Sequence, residues 1–250
     1  MTSPLPVSAV LAWWGTAWLR GDVVPDLLLD AVIGDDATHA VAGLPGEGGT
    51  VTLLAALAAL RRAGASWFGA AVPAAGDPVG LGGPPAFNAA ALDVGEAVVV
   101  GGCDLGLVPT RVGAAGVWEV SPAARRPVPD VGEADRELRR ALLESADALA
   151  ALDVARWRPD VADELMDLRR PPEVVAPPGI PGRCIDLAGR GAHALSIVEL
   201  ALADDGAALT AYEAEQRRAA LQPLDRAGRR ALVAACSPEA WPDEPAARNG

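Results

Sequence analysis

Apolar positions recur with a helical period at the start of the chain. Val10, Trp14 and Trp18 fall at i, i+4 and i+8 with Leu11 beside them, one stripe of a helix spanning 7–19 after Pro4 and Pro6. Arg20 and Gly21 close it, and a tryptophan stripe at this spacing belongs in the core, so Trp14 and Trp18 are expected to be largely buried. A second helix begins at Asp22 or Asp26, turns Leu27, Leu28 and Ala31 inward and stops at Gly34, pairing with the first as a hairpin. His39 to Gly43 reads as a short edge strand. After EGG at 47–49, an apolar helix runs over 50–63, with Thr50 or Thr52 as its cap and Arg61 and Arg62 at the negative end of its dipole. A strand over 66–72 follows at once.

The stretch 76–100, GDPVGLGGPPAFNAAALDVGEAVVV, carries the most unusual backbone chemistry. Gly76, Gly80, Gly82 and Gly83 can adopt positive φ without steric cost, while Pro78, Pro84 and Pro85 fix φ and keep their predecessors out of the helical region. This predicts a rigid loop, a helix over 86–94 led by Pro85 and stopped by Gly95, and a strand from Glu96 to Val100. The segments 96–101, 105–111 and 115–120 are short and β-branched, are separated by glycine-containing turns, and read as an antiparallel meander.

SPAARRPVPDVG at 121–132 interrupts all periodicity, and beyond it the pattern turns helical. Leu138, Leu142, Leu149 and Leu152 share a stripe of a helix over 133–154. Trp157 marks a corner, and Asp160 caps a short helix ending at Leu168. EVVAPPGIP at 173–181 is a stiff connector. A helix over 183–203 is weakened by Gly189 and Gly191. The capping box TAYE at 210–213 starts another, broken at Pro223 and resumed to Ala235. Residues 237–250 hold three prolines and little apolar surface beyond Trp241, which predicts a disordered tail. The expected fold is therefore α+β. A small mixed or antiparallel sheet with covering helices occupies 1–120, a Pro-rich connector 121–132, and a helical unit packed on the sheet 133–236.

Composition changes this picture mainly by exclusion. All 21 basic residues are arginine, so Schiff-base, P-loop and kinase-type lysine chemistry is absent. A net charge of −12 argues against nucleic acid and anionic membranes as partners. Cys103, Cys184 and Cys236 lack CxxC spacing, which points to a reducing compartment rather than a disulfide framework, and no apolar run approaches a membrane span. The expectation is a cytoplasmic chain with no cofactor.

Two sets of residues carry candidate chemistry. Asp77, Gly80, Gly82, Gly83, Phe87 and Asn88 form the loop before a helix N-terminus, where free N–H groups bind anions, although the spacing matches neither GxGxxG nor a P-loop. Asp35, Asp36 and His39 place two carboxylates and an imidazole within five residues. That set serves a hard ion or zinc if Glu47 or Glu96 converges on it, and an Asx turn otherwise. Cys103-Asp104 after two glycines reads as a hairpin turn, and no GxSxG occurs.

The strings AWWGTAWLRG, GDPVGLGGPPAFNAAALDVGEAVVV and DVARWRPDVADELMDLRR resemble a family of uncharacterised actinobacterial proteins of similar length. The likeness covers most of the chain before the tail and implies a source, with no activity or site attached. The function expected is that of a non-catalytic interaction or accessory protein with a protein partner. The alternative is a small-molecule-binding protein or enzyme using the loop at 73–88.

Overall fold

The run AVVVG at 97–101 has no polar position, and a strand of that kind is stable only when both faces of its sheet are covered. In the computed structural model, which describes residues 3–151, 173–203 and 211–241, this run is a central strand buried at every position. Its alternation divides the core: Val98 and Val100 join a large cluster extending into the helical half, while Ala97 and Val99 join a smaller one with Leu81, Phe87 and Ala91.

The elements run in the order α1 (Val7–Arg20), α2 (Pro25–Ile33), β1 (Thr38–Ala42), β2 (Val51–Thr52), α3 (Leu53–Arg62), β3 (Trp67–Ala71), α4 (Pro85–Val94), β4 (Ala97–Gly101), β5 (Leu105–Val112) and β6 (Ala115–Pro122). Helices α5 (Val131–Ala151), α6 (Gly182–Ala203) and α7 (Ala211–Ala235) follow, and the chain ends in a 3-10 turn over Pro238–Ala240. The sheet has six strands ordered β2-β1-β6-β5-β4-β3. Strands β4 to β6 form the expected antiparallel meander, β3 adds to it in antiparallel beside β4, and β1 joins β6 in parallel. The fold is α+β, with a mixed sheet in the N-terminal half and helices in the C-terminal half.

Strand β1 is not the edge. Val51 and Thr52 pair with it in antiparallel before α3 begins, so it lies one strand in. The start of α3 follows from its cap, because Thr52 Oγ1 accepts the Ala55 N–H at 3.3 Å.

Helix α1 is buried almost around its circumference because it packs on β3, β4 and α2 and reaches the end of α7 through Trp13. Trp18 is buried as its stripe requires, but Trp14 is only half-buried, and the fully enclosed ring is that of Trp13, off the stripe. The indole of Trp13 donates to the Ala235 carbonyl at 3.1 Å. On the opposite side Gly15 admits the Phe68 ring, where a Cβ would sit 2.7 Å from it. Thr16 next to it donates its hydroxyl to the Phe68 carbonyl (3.2 Å) and accepts the Phe68 N–H (3.0 Å).

Those bonds belong to an accounting of the β3 edge. An edge strand exposes a row of unpaired backbone groups. Thr16 satisfies both groups of Phe68, the Ala70 N–H donates to the Cys236 carbonyl at 2.9 Å, and the Ala70 carbonyl accepts from Arg126. The end of α7 gains in return, since the Ala235 carbonyl, which has no intrahelical partner, receives the indoles of both Trp13 and Trp241.

Arg126 closes the arrangement. Its side chain is 1% exposed and reaches four partners: Glu239 Oε1 at 3.1 Å, the Gly80 carbonyl at 3.0 Å, Ser237 Oγ at 2.7 Å and the Ala70 carbonyl. Residues 237–241, expected to begin a disordered tail, are therefore packed. Ser237 is fully buried, Glu239 neutralises the guanidinium and Trp241 caps α7. The rest of that tail, the corner at Trp157, the short helix expected over 160–168 and the Thr210 cap lie outside the described residues.

Helix α7 continues through Pro223 instead of breaking there. The ring removes one ladder bond, but Pro223 faces solvent while Leu221 and Leu224 are buried against α5 and α6, and that burial outweighs the loss. Ser145 Oγ donates to the Ala220 carbonyl at 3.1 Å, one residue along from the interrupted bond. Gly191, whose low helix propensity predicts weakness, has a packing role, because a Cβ there would lie 3.1 Å from the Gly228 carbonyl of α7.

Truncating Trp13 to alanine is expected to cost about 3–5 kcal/mol and Trp14 clearly less, measured by denaturant unfolding. Equal costs at the two positions would contradict the packing. Replacing Arg126 by methionine strands Glu239 and three acceptors, with an expected loss of about 3–5 kcal/mol. A wild-type denaturation midpoint would show the charge to be dispensable.

Candidate functional site

Strand alternation puts His39 and Val41 on the core side of β1, and the parallel register sets His39 opposite Gly116 on β6. A Cβ at 116 would stand 2.5 Å from the imidazole, so the glycine makes the room the ring occupies. Two residues along β6, Trp118 Nε1 lies 3.2 Å from His39 Nδ1. An indole N–H only donates, so Nδ1 carries the lone pair and Nε2 carries the proton. That proton is directed to Asp36 Oδ2 at 3.0 Å, and Asp36 Oδ1 is held by Arg111 of the β5–β6 hairpin. Burial lowers the His39 pKa from its ordinary 6.5, which fits a neutral imidazole between one donor and one acceptor.

This row of groups lines a cavity of about 710 Å³. Its walls come from the start of α1 (Leu5, Val7, Val10, Trp14), the end of α2 with its turn (Asp30 to Asp36), the β4 approach (Val94, Glu96), the β5–β6 hairpin and residues 173 and 175. Glu96 is fixed by the Ser8 N–H in the first turn of α1, 2.9 Å from Oε2. The hydroxyls in the wall are engaged: Ser3 Oγ accepts the Leu5 N–H and Thr110 donates to the Val117 carbonyl, both at 3.2 Å.

Of the candidate metal residues, Asp36 and His39 meet each other, and Asp35 lines the same cavity. Both ring nitrogens of His39 are committed, so the imidazole offers a cation no lone pair. Glu96 reaches the cavity, Glu47 does not, and among the described residues no three His, Cys, Asp or Glu side chains are grouped to hold a metal ion.

The loop candidates lie elsewhere. Asp77 pairs with Arg229 at 3.3 Å, the Gly80 carbonyl accepts from Arg126, and Gly82 presses on Arg125, where a Cβ would be 2.3 Å from the carbonyl oxygen. The Gly83 N–H is taken by Asn88 Oδ1 at 3.0 Å, and Phe87 is buried against Gly106 and Ala123. None of the six lines the cavity with His39. Their polar groups bind the loop to the connector and to α7.

Cysteine chemistry is also held back. Burial raises the thiol pKa of all three: Cys103, where Asp104 adds to it, Cys184, pushed up to about 11, and Cys236. Sequence reasoning missed Trp118, Gly116 and Arg111. The one available signal was the small residue at 116 inside a strand, which marks close approach of another group.

Fold and site together define a class: an α+β protein with a mixed sheet in its N-terminal half, a helical C-terminal half, and an open, mostly apolar cavity beside a doubly hydrogen-bonded histidine. The chain belongs to the Rv1486c-like protein family, whose N-terminal domain model matches residues 8–133 and whose C-terminal domain model matches residues 132–233. It is 30% identical to the uncharacterized protein Rv1486c of Mycobacterium tuberculosis (strain ATCC 25618 / H37Rv) over 94% of this chain and 99% of that relative. The same identity and coverage hold for the uncharacterized protein MT1533 of strain CDC 1551 / Oshkosh. No solved structure matches the chain.

The histidine gives a pH dependence with a definite sign. Its folded pKa lies below its unfolded value of about 6.5, so the unfolded state binds more protons between the two, and stability falls as pH drops below about 6.5. His193, lowered by burial too, contributes in the same direction. His39→Gln is expected to be less stable at neutral pH with a flatter acid limb, read by urea unfolding across the pH range. Parallel limbs for variant and wild type would exclude His39 as a source. Trp118→Phe leaves Nδ1 without a donor and should cost about 1–3 kcal/mol. Imidazole nitrogen NMR should then lose the Nδ1 hydrogen-bond shift.

Proposed function

We propose that the protein is a non-catalytic accessory protein that binds a small, largely apolar molecule in the cavity around Trp14, His39 and Trp118. The observation carrying this reading is the cavity itself. At about 710 Å³ it falls within the range of small-molecule sites, roughly 300–1,000 Å³, and its walls are mostly apolar with a few placed polar groups.

The chemistry of the wall argues for binding rather than turnover. A general base needs a free nitrogen, and His39 has neither. The two hydroxyls are hydrogen-bonded, the thiols are held protonated, and lysine is absent from the chain. The three cysteines are free, which suits a reducing cytoplasm, and among the described residues no helix is long and apolar enough to cross a membrane. The net charge of −12 favours a protein partner over nucleic acid for whatever the loaded form engages.

The test is titration with the neutral lipophilic fluorophore N-phenyl-1-naphthylamine, followed by its own emission and by quenching of tryptophan. Saturable binding is expected, lost on filling the cavity with Ala31→Trp while the melting temperature stays near wild type. Absence of saturable binding, or binding undisturbed in a folded Ala31→Trp protein, would defeat the reading.

A further inference from the structure

We propose that the ligand of this cavity is an organic cation, an amphiphile whose protonated or quaternary amine lies toward Glu96 while its carbon skeleton covers the α1 and α2 walls. The inference rests on the binding reading above and concerns the charge of the occupant.

Among the described residues, Asp30, Asp35, Asp36, Glu96 and Glu173 line the cavity, and Arg111 is the arginine beside them. That guanidinium is paired with Asp36, and His39 is neutral, so among the described residues an anionic ligand would meet no unpaired cation and a wall rich in carboxylates. Glu96 is fixed by the backbone of α1. One oxygen accepts the Ser8 N–H, and the other has no hydrogen-bond partner among the described residues. A carboxylate held in place by a helix N-terminus and bordered by apolar wall is preorganised to pair with a cation, at little cost in side-chain ordering. Trp14, half-buried in the same wall, adds an aromatic surface of the kind that attracts ammonium groups. A bare metal ion fits poorly, since most of the lining is carbon and no three His, Cys, Asp or Glu side chains group as ligands among the described residues.

The experiment uses three probes that share one alkyl chain and differ in head group: decyltrimethylammonium, 1-decanol and decyl sulfate. Each is added below its micelle concentration as a competitor of bound N-phenyl-1-naphthylamine on the full chain. The cation is expected to compete about tenfold better than the alcohol, with the sulfate weakest and the cation's advantage shrinking at high salt. Glu96→Gln keeps an acceptor for the Ser8 N–H and removes the charge. It should cut the cation's advantage several-fold and leave 1-decanol unchanged, with an unaltered melting temperature. An alcohol that competes as well as the cation, or an advantage that survives Glu96→Gln intact, overturns the cationic assignment while leaving the cavity a binding site. If the fluorophore itself does not bind, the binding reading fails and this inference fails with it.

Discussion

A permanent charge sealed in an apolar interior is tolerated only when its surroundings are fixed around it, and Arg126 imposes that condition on this fold. Burial lowers its pKa, opposed chiefly by Glu239, and its hydrogen bonds draw the sheet edge, the loop before α4, the Pro-rich connector and the end of α7 to one point. The edge strand and its following loop are 46 or more residues from Arg126, and Ser237 and Glu239 lie more than 110 residues beyond it. The arginine therefore selects one docking of the two halves rather than adding much net stability. A guanidinium suits the task because its planar fork serves several acceptors at fixed angles, which an ammonium does not.

Around that point the polar groups of the backbone are accounted for. Strand β3 has no neighbouring strand on its outer side among the described residues, and Phe68 and Ala70 find partners in Thr16, Cys236 and Arg126. The same contacts complete the C-terminal end of α7. Helix α1 joins both sites, with Thr16 on the sheet and Trp13 on Ala235, which explains why its burial runs around the helix rather than along one stripe. The interior is a single large core spanning both halves, with a smaller satellite beneath α4.

The cavity forms on the part of the sheet away from this junction, where β1 and β6 run in parallel and the mouths of α1 and α2 open. The histidine there is fixed by pairing on both ring nitrogens. A donor-only indole on one nitrogen and a carboxylate on the other define a single tautomer, so both ring nitrogens are engaged within the wall. In the loop at 76–88, the other candidate read from the sequence, glycines pack closely on Arg125 and Ala71, and the aspartate pairs with Arg229.

What the chain determined alone is local: helix limits set by Pro6, Gly21, Pro85 and Gly95, the meander of β4 to β6, the α+β class and the exclusion of lysine chemistry. These follow from backbone sterics and periodicity, which act over a few residues. Asp36 and His39 were readable as a pair for the same reason, being three apart. Their partners were not. Trp118 is 79 residues from His39, Ser8 is 88 from Glu96 and Glu239 is 113 from Arg126. Tertiary structure decided those meetings, the enclosure of Trp13 in place of Trp14 and the continuity of α7 through Pro223. In each case burial against a distant element outweighed a local preference worth only a few kcal/mol.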